Sequence, residues 1–235
     1  MLWRWLRRFE TRALLGVFLV AGGLWAFLSL GGEVVEGDTR GFDRLVLLSL
    51  RTPGRLDDPI GPPFLEEAVR DVTALGGTTI ITLLALSGVL AFVLHRRYRH
   101  ALVMGGAVLL AYASSELFKM AYGRPRPDLV PHVVQVYSGS FPSGHSTLAA
   151  TTYLTLAMLT ASLAETRRSK VLAYGLAVAI LIAVGCSRVY LGVHWPSDVL
   201  AGWCLGAVWA LAGWTVLRRT VSGASEADPP ARASG

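Results

Sequence analysis

Long apolar segments separated by polar connectors dominate the pattern of hydrophobic positions along the chain. They occupy residues 13–30, 76–94, 101–118, 142–164, 171–186 and 196–217. A bilayer requires roughly 20 apolar residues in a helix, and these segments match or approach that length. We therefore predict an all-α, integral membrane bundle of six transmembrane helices, formed by a single domain over residues 1–221. The small and polar residues 222–235 predict a disordered C-terminal tail.

The longest polar interval, residues 31–75, follows the first apolar segment. Apolar residues at positions 42, 45, 46, 48 and 50 predict a short amphipathic helix along the membrane interface. Proline and glycine at residues 53–54 and 61–63 break the chain, and residues 63–75 predict another short helix. The first external loop therefore adds short interfacial helices to the bundle, and its sequence alone indicates no chemistry.

Composition supports a membrane protein and argues against nucleic acid as the partner. Mean hydropathy is +0.49 and only 16% of the residues are charged, which is more apolar than ordinary soluble domains. The formal net charge of +6 lies largely in short basic clusters between the apolar segments. Arginine in such positions marks the cytoplasmic side of a membrane protein, so nucleic-acid binding is not needed to explain it.

The same clusters predict the orientation of the chain. Basic residues near the N-terminus, at 95–100 and at 165–170 place these connectors in the cytoplasm. The acidic 31–75 interval and the connectors at 119–140 and 187–195 then lie outside. We expect a multi-pass protein of the cell inner (plasma) membrane, with cytoplasmic N- and C-termini and three polar stretches together on the outer face.

The stretch Phe-Pro-Ser-Gly-His-Ser at residues 141–146 lies where the 119–140 connector meets the fourth apolar segment. Pro142 suits the first position of a helix, because its missing N–H would have no helical partner there. The N–H groups of Ser143, Gly144 and His145 would then point outward at the positive end of the helix dipole. Such a helix start binds anions, and a histidine at its rim can protonate a leaving group.

A second histidine lies in the stretch at residues 187–198, which leads into the sixth apolar segment. Pro196 predicts a helix start, and His194 and Asp198 are four residues apart around it. A carboxylate at this spacing can accept the proton of one ring nitrogen, which leaves the other nitrogen free to attack. Arg188, in the same stretch, can bind two oxygens of a phosphoryl group with its guanidinium fork.

Lys119 and Arg126 lie at the end of the third apolar segment, where Pro125 and Pro127 keep the chain extended. With Arg188 they offer three cations to one anion. A phosphoryl group in transfer spreads negative charge over its equatorial oxygens, so three converging cations suit phosphoryl transfer.

Two charged neighbours of this cluster have other interpretations. Arg124 fits best as an interfacial anchor whose charge reaches the lipid headgroups. Glu116 lies inside an apolar segment, three residues before Lys119. It either pairs with Lys119 or takes part in substrate or proton handling, and the sequence favours neither.

Together, the three stretches resemble the signature of the type 2 phosphatidic acid phosphatase family, whose active site is shared with vanadium haloperoxidases and glucose-6-phosphatase. The resemblance covers about residues 75–217. The matching pattern is Lys119-x6-Arg126-Pro127, then Pro142-Ser143-Gly144-His145, then Ser187-Arg188-x5-His194-x3-Asp198. Each stretch alone is a weak signal, whereas the three in this order and spacing are specific.

The resemblance implies a role for each matching residue. His194 is the implied nucleophile, which forms a phosphohistidine, and Asp198 orients it. His145 protonates the leaving oxygen and later activates water. The implied phosphate-binding residues are Lys119, Arg126, Ser143, Gly144 and Arg188. The mechanism needs no metal or other cofactor, and the motif loops hold no cluster of carboxylates and histidines with ligand spacing.

We therefore expect a lipid phosphatase that acts on phosphatidic acid, phosphatidylglycerol phosphate or undecaprenyl diphosphate at the outer membrane surface. The motifs contact only the phosphate, so they do not select among these lipids, and they indicate no oligomeric state. A lipid phosphotransferase with the same phosphohistidine is an alternative. A transporter or scaffold with a vestigial site is another. A vanadium haloperoxidase is disfavoured, because those relatives are not built mainly of spanning helices.

Overall fold

The computed structural model describes residues 2–130 and 138–226, with side chains described from residue 14 to residue 218 outside the same gap. The chain is mostly helical, as predicted. Its elements are α1 (Leu2–Glu36), α2 (Arg40–Ser49), β1 (Arg51–Thr52), β2 (Arg55–Pro59), α3 (Pro63–Ala74), α4 (Thr78–Leu94), α5 (Tyr98–Tyr122), α6 (Gly144–Leu163), α7 (Arg167–Tyr190) and α8 (Pro196–Glu226).

Within the described residues, 5 helices are long and apolar enough to cross a membrane by themselves. They are α1, α5, α6, α7 and α8. Helices α3 and α4 meet the same criterion as a pair, with a bend of 44° at the break between them, which raises the number to 6. Helix α4 corresponds to the predicted segment 76–94. The chain is thus a multi-pass membrane protein whose helices match the six predicted segments.

Helix α6 is the most buried of these helices and packs against α5, α7 and α8. Its contact with α8 is close because α8 carries two glycines at the interface. A Cβ at Gly206 would lie 2.5 Å from the carbonyl oxygen of Thr147, and one at Gly202 would lie 2.8 Å from that of Ser143. Small residues allow membrane helices to approach in this way. The contact brings the start of α6 beside the start of α8.

The first loop covers one end of the bundle, which we call the loop end. Helices α2 and α3 occupy the two intervals predicted to be helical. Between them lies an antiparallel hairpin of β1 and β2, which the sequence analysis did not predict. The chain reverses at Gly54, whose φ of +81° favours glycine. The proline–glycine pair at 53–54 therefore forms a hairpin turn rather than a simple break.

Two predicted boundaries need correction. Helix α6 begins at Gly144, so the prediction that Pro142 is its first residue is wrong. A helix starting at Pro142 would be capped by Phe141, which has no side-chain acceptor, whereas the Ser143 hydroxyl accepts the N–H of Ser146. Helix α8 begins at Pro196 as predicted but extends to Glu226, past the predicted boundary at residue 221. The rest of the predicted tail, residues 227–235, lies outside the described residues.

Candidate active site

A cavity of about 340 Å³ lies at the loop end of the bundle. It is lined by the predicted site residues Lys119, Arg126, Gly144, His145, Arg188 and His194, together with Thr78, Tyr112, Ser115, Glu116, Ser138 and Leu148. Ser143 and Asp198, the other predicted site residues, are fully buried next to these residues and do not line the cavity. The fold therefore brings the three sequence stretches together around one cavity.

The first turn of α6 forms one wall of this cavity. The N–H groups of Gly144 and His145 precede the first helical hydrogen bond, which runs from the Thr147 N–H to the Ser143 carbonyl at 2.9 Å. Within the described part of the chain these two N–H groups donate no backbone hydrogen bond, so they can bind an anion in the cavity. The Ser143 N–H instead donates to the Asp198 carbonyl at 3.0 Å, so it does not point outward as predicted. Ser143 serves here as the cap of the helix.

Gly144 also determines how closely a cation approaches this turn. A Cβ at Gly144 would lie 3.0 Å from Nζ of Lys119. That distance is tighter than ordinary van der Waals contact, so a larger residue would displace the lysine. Glycine at this position therefore keeps Lys119 beside the free N–H groups of the helix start.

His194 lies between Asp198 and Arg126. Its Nδ1 is 3.4 Å from Oδ2 of Asp198, and that oxygen also accepts the N–H of Trp195 at 2.9 Å. On the other side of the ring, NH1 of Arg126 donates to Nε2 at 3.1 Å. This pairing favours the tautomer with its proton on Nδ1, in which the lone pair of Nε2 accepts the hydrogen bond from Arg126, and both side chains line the cavity.

The surroundings of His194 keep its ring neutral. Burial lowers the pKa of His194 well below its ordinary value, and the positive charges of Arg188, Arg126 and Lys119 lower it further. At neutral pH the ring is therefore unprotonated and Nε2 keeps its lone pair. A neutral imidazole oriented by a carboxylate has the properties of a nucleophile.

The three predicted cations are held in different ways. Arg126 donates from Nε to the Ser138 carbonyl at 2.9 Å and from NH1 to the Val193 carbonyl at 2.7 Å. Arg188 is buried, and its NH1 donates to the Thr73 hydroxyl at 3.1 Å. Among the described residues its Nε has no hydrogen-bond partner. A buried guanidinium with an unpaired N–H at a cavity is suited to an anionic ligand.

Lys119 pairs with Glu116, and the distance between Nζ and Oε1 is 2.6 Å. Of the two interpretations that the sequence left open for Glu116, the structure therefore contains the ion pair. The glutamate also lines the cavity, with 40% of its side chain exposed, whereas Lys119 is 11% exposed. The lysine charge is thus partly offset before any ligand enters.

Arg124 is not an interfacial anchor, so that interpretation is wrong. Its guanidinium is 12% exposed and bonds to Asp43 at 2.7 Å and to Asp198 at 2.6 Å. The sequence pattern also predicted no role for Asp43, which lies on α2. The only local signal for Arg124 was its position two residues before Arg126, on an extended segment of alternating prolines. Both residues take part in holding Asp198.

The site contains the parts that phosphoryl transfer needs and no metal-ligand cluster. Two histidines, three cations and a helix start share one cavity. The described residues contain no group of three or more His, Cys, Asp or Glu side chains placed to hold a metal ion. The cations, the helix start and the two imidazoles around one cavity suit the binding and transfer of a phosphoryl group.

The sequence matches the PAP2 superfamily over residues 100–222. It is 37% identical over 153 residues to phosphatidylglycerophosphatase B of Bacillus subtilis, covering 63% of this chain and 72% of that protein. It is 38% identical over 128 residues to decaprenylphosphoryl-5-phosphoribose phosphatase of Mycobacterium tuberculosis, covering 53% of this chain and 64% of that protein. The family match contains all three stretches that form the cavity.

The fold leads to the same family. It is similar to the crystal structure of a transmembrane PAP2 type phosphatidylglycerolphosphate phosphatase from Bacillus subtilis, with a TM-score of 0.72 and 28% identity, covering 92% of this chain and 100% of that one. Aquifex aeolicus LpxE shares the fold alone, with a TM-score of 0.50 and 19% identity over 73% of this chain and 94% of that one. The chain therefore belongs to the PAP2 superfamily, the type 2 phosphatidic acid phosphatase family that its motifs resemble, and is a membrane phosphatase.

Proposed function

We propose that the chain is a metal-independent phosphatase that hydrolyses lipid phosphates through a phosphohistidine on His194. One observation carries the proposal: His194, whose Nε2 is bonded to Arg126, lines the same cavity as Lys119, Arg188 and the start of α6. The relatives support lipid phosphates as the substrate class, because their names describe phosphatidylglycerophosphate and a decaprenyl-linked phosphoribose as substrates.

A phosphate group in the cavity would satisfy the groups that lack partners there. Its oxygens would accept the N–H groups at the start of α6 and the free Nε–H of Arg188. Arg126 and Lys119 would add positive charge on the remaining sides. The phosphorus atom would then lie next to Nε2 of His194. The cations would offset the negative charge on the phosphate oxygens, as a phosphoryl transition state requires.

In the first step, the Nε2 lone pair attacks phosphorus while the bond from phosphorus to the lipid oxygen breaks. His145, in its protonated form, gives its proton to that oxygen, and the dephosphorylated lipid leaves. The histidine ring now carries hydrogen on Nδ1 and phosphorus on Nε2, which makes it positively charged. Asp198 lies beside Nδ1 and offsets this charge.

In the second step, water attacks the phosphorus of the phosphohistidine. His145, now neutral, takes a proton from the water as the bond between nitrogen and phosphorus breaks. Inorganic phosphate leaves, and both histidines return to their starting states. His145 thus acts as acid and then as base, so its own protonation is restored in each cycle.

The cavity has an apolar side that suits a lipid. Leu148 of α6 and Tyr112 of α5 line it, and Tyr112 is exposed on the outside of the bundle. Thr78, at the start of α4, also lines the cavity. We propose that acyl or prenyl chains enter laterally here and remain in the bilayer while the phosphate enters the cavity. Phosphatidic acid, phosphatidylglycerol phosphate and undecaprenyl diphosphate are the candidate substrates.

Purified protein in detergent should release inorganic phosphate from at least one of these lipids in the presence of a chelator. The reason is that every group assigned to the reaction is a side chain or backbone N–H of the chain. The measurement compares the three lipids with a soluble phosphomonoester, without any acceptor lipid. Loss of release on chelation would contradict the metal-independent mechanism. Release only after an acceptor is added would favour a phosphotransferase.

We also propose that the cavity faces the exterior. The first loop and the site lie at the same end of the bundle, because Arg51 of the hairpin donates to the carbonyl of Tyr190 at 2.9 Å. The basic connector at 95–100 lies elsewhere, where His100 is near Ser162 at the far end of α6. Basic connectors favour the cytoplasm, so the loop end is assigned to the outside.

A β-lactamase fusion tests this orientation. Fused after Ser138, the reporter should be exported and should confer resistance in cells. Fused after Arg168, at the opposite end, it should stay in the cytoplasm and leave the cells sensitive. A green fluorescent protein at the same two positions is the matched control, since it should fluoresce only after Arg168. The reverse pattern would place the site in the cytoplasm.

A further inference from the structure

Asp198 is wholly buried, and its two oxygens have separate partners. Oδ2 faces Nδ1 of His194 at 3.4 Å, whereas Oδ1 accepts NH1 of Arg124 at 2.6 Å. In the part of the chain that the structure describes, Arg124 is the permanently charged cation in ion-pair contact with this carboxylate. Burial of a carboxylate without such a partner is costly, so the charge and position of Asp198 depend on Arg124.

Arg124 is in turn held by α2. Its NH2 donates to Oδ2 of Asp43 at 2.7 Å and lies 3.3 Å from the Thr39 hydroxyl. Asp43 is fully buried and also accepts the N–H of Ser197 at 2.9 Å and its hydroxyl at 2.8 Å. Ser197 precedes Asp198 in the first turn of α8. Asp43 therefore links the arginine to the same helix turn that carries the carboxylate, and the contacts form a closed ring.

The charges of Asp43, Arg124 and Asp198 suit the reaction. Two carboxylates, Asp43 and Asp198, share the guanidinium of Arg124, so Arg124 only partly offsets the negative charge that Asp198 places beside Nδ1 of His194. The ring of His194 is neutral before the reaction and positive as a phosphohistidine. The carboxylate of Asp198 beside Nδ1 therefore stabilises the intermediate more than the starting state, which is the requirement for catalysis.

Arg124 does not bind the phosphate itself. It is absent from the lining of the substrate cavity and instead borders a second cavity of about 430 Å³, together with Asp43 and Arg44. Arg126 contacts Nε2 of His194, on the side of the ring that reacts. Arg124 acts on the opposite side of the ring, through the carboxylate near Nδ1.

We propose that Arg124 and Asp43 are positioning residues, through which helix α2 of the first loop holds Asp198, and thereby His194, in the reactive orientation. The proposal rests on the proposed role of His194. It assigns the first loop a part in catalysis, in addition to covering the end of the bundle. Loss of the contact between α2 and Arg124 should therefore lower kcat and leave the affinity for phosphate unchanged.

Arg124→Ala and Asp43→Asn should each lower kcat by about 10-fold to 100-fold, the loss typical when a group that orients a functional side chain is removed. KM and the inhibition constant of inorganic phosphate should stay unchanged, because the cavity wall is intact. Arg124→Lys should recover part of the rate, since it keeps the charge beside Asp198 but loses the second bond. The double variant Arg124→Ala/Asp43→Asn should be no slower than the slower single variant, because both act through one contact.

Arg44→Ala is the matched control, since Arg44 neighbours Asp43 on α2, is exposed and does not touch Asp198. It should leave kcat unchanged. An unchanged kcat in both Arg124→Ala and Asp43→Asn would overturn the proposal. Weaker inhibition of either variant by inorganic phosphate would also overturn it. So would a loss of kcat in the double variant that equals the product of the two single losses. If Arg124→Ala does not fold, the isosteric Asp43→Asn decides alone. If His194→Ala is inactive while Arg124→Ala keeps full activity, only the positioning role is rejected. If His194→Ala keeps its activity, the proposed function itself is rejected.

Discussion

His194→Ala should abolish phosphate release from every lipid substrate, with a loss of at least about 10⁴-fold in kcat, as for other nucleophiles removed from a catalytic group. The substitution removes the nitrogen that would bond to phosphorus, and no other described side chain of the cavity takes its place beside Asp198. The measurement is inorganic phosphate released per mole of folded protein in detergent.

His100→Ala provides the matched control for this loss. His100 is also buried, but it lies near Ser162 and Phe92, away from the cavity. We expect this variant to unfold at a lower temperature and yet to keep its specific activity. Lipid phosphatase activity of His194→Ala close to that of the unchanged protein would refute the phosphohistidine mechanism.

Arg188→Lys should lower kcat/KM by about 100-fold to 1000-fold, the usual cost of removing one preorganised donor from a developing oxyanion. Lysine keeps the positive charge but loses the planar fork and the Nε–H that is unpaired in the cavity. It would also give up the bond to Thr73, which holds the guanidinium against α3. Steady-state kinetics on one lipid, with folding checked by thermal denaturation, measures the effect.

Arg51→Lys is the control for Arg188→Lys, because Arg51 is another buried arginine at the loop end. It donates to the carbonyls of Leu50 and Tyr190 at 3.2 and 2.9 Å and does not line the cavity. We expect lower stability and unchanged kcat/KM per folded molecule. Equal losses of activity in Arg51→Lys and Arg188→Lys would mean that Arg188 has only a structural role.

The sequence predicted the helices well, because the bilayer imposes a length of apolar residues that is visible without a structure. The apolar segments at 101–118 and 171–186 lie inside α5 and α7, which are longer at both ends. The extra turns carry charged residues such as Lys119 and Arg188, so hydropathy marks the part of a helix that crosses the membrane and not its full length. This is why the predicted connectors at 119–140 and 187–195 begin before the helices end.

Half of the residues that line the cavity were among the predicted site residues, since each stretch combines groups that need one another locally. His194 and Asp198 are four residues apart at a helix start, and the structure brings Nδ1 and Oδ2 to 3.4 Å. The predicted start of α6 is two residues too early, because Pro142 suits a first helical position while the hydroxyl of Ser143 is the side chain that caps the helix. The same error assigned Ser143 an outward N–H that instead binds the Asp198 carbonyl.

The contacts of Arg124 could not be predicted from local sequence. Asp43 is 81 residues away from Arg124 along the chain, on a helix whose amphipathic pattern predicts its position but no partner. An arginine near the end of a spanning segment has a common alternative in headgroup contact. Only the packing of α2 against α8 shows that this arginine is buried between two carboxylates.

The most direct test of the central claim is to trap the phosphohistidine in His145→Ala with ³²P-labelled p-nitrophenyl phosphate. Nitrophenolate leaves without a proton, so the first step should proceed, whereas hydrolysis of the intermediate should stall for lack of a base. The account predicts a burst of nitrophenolate that approaches one per folded protein, with acid-labile label on His194. A burst with label on another residue, or no label although the unchanged protein turns the substrate over, would contradict it.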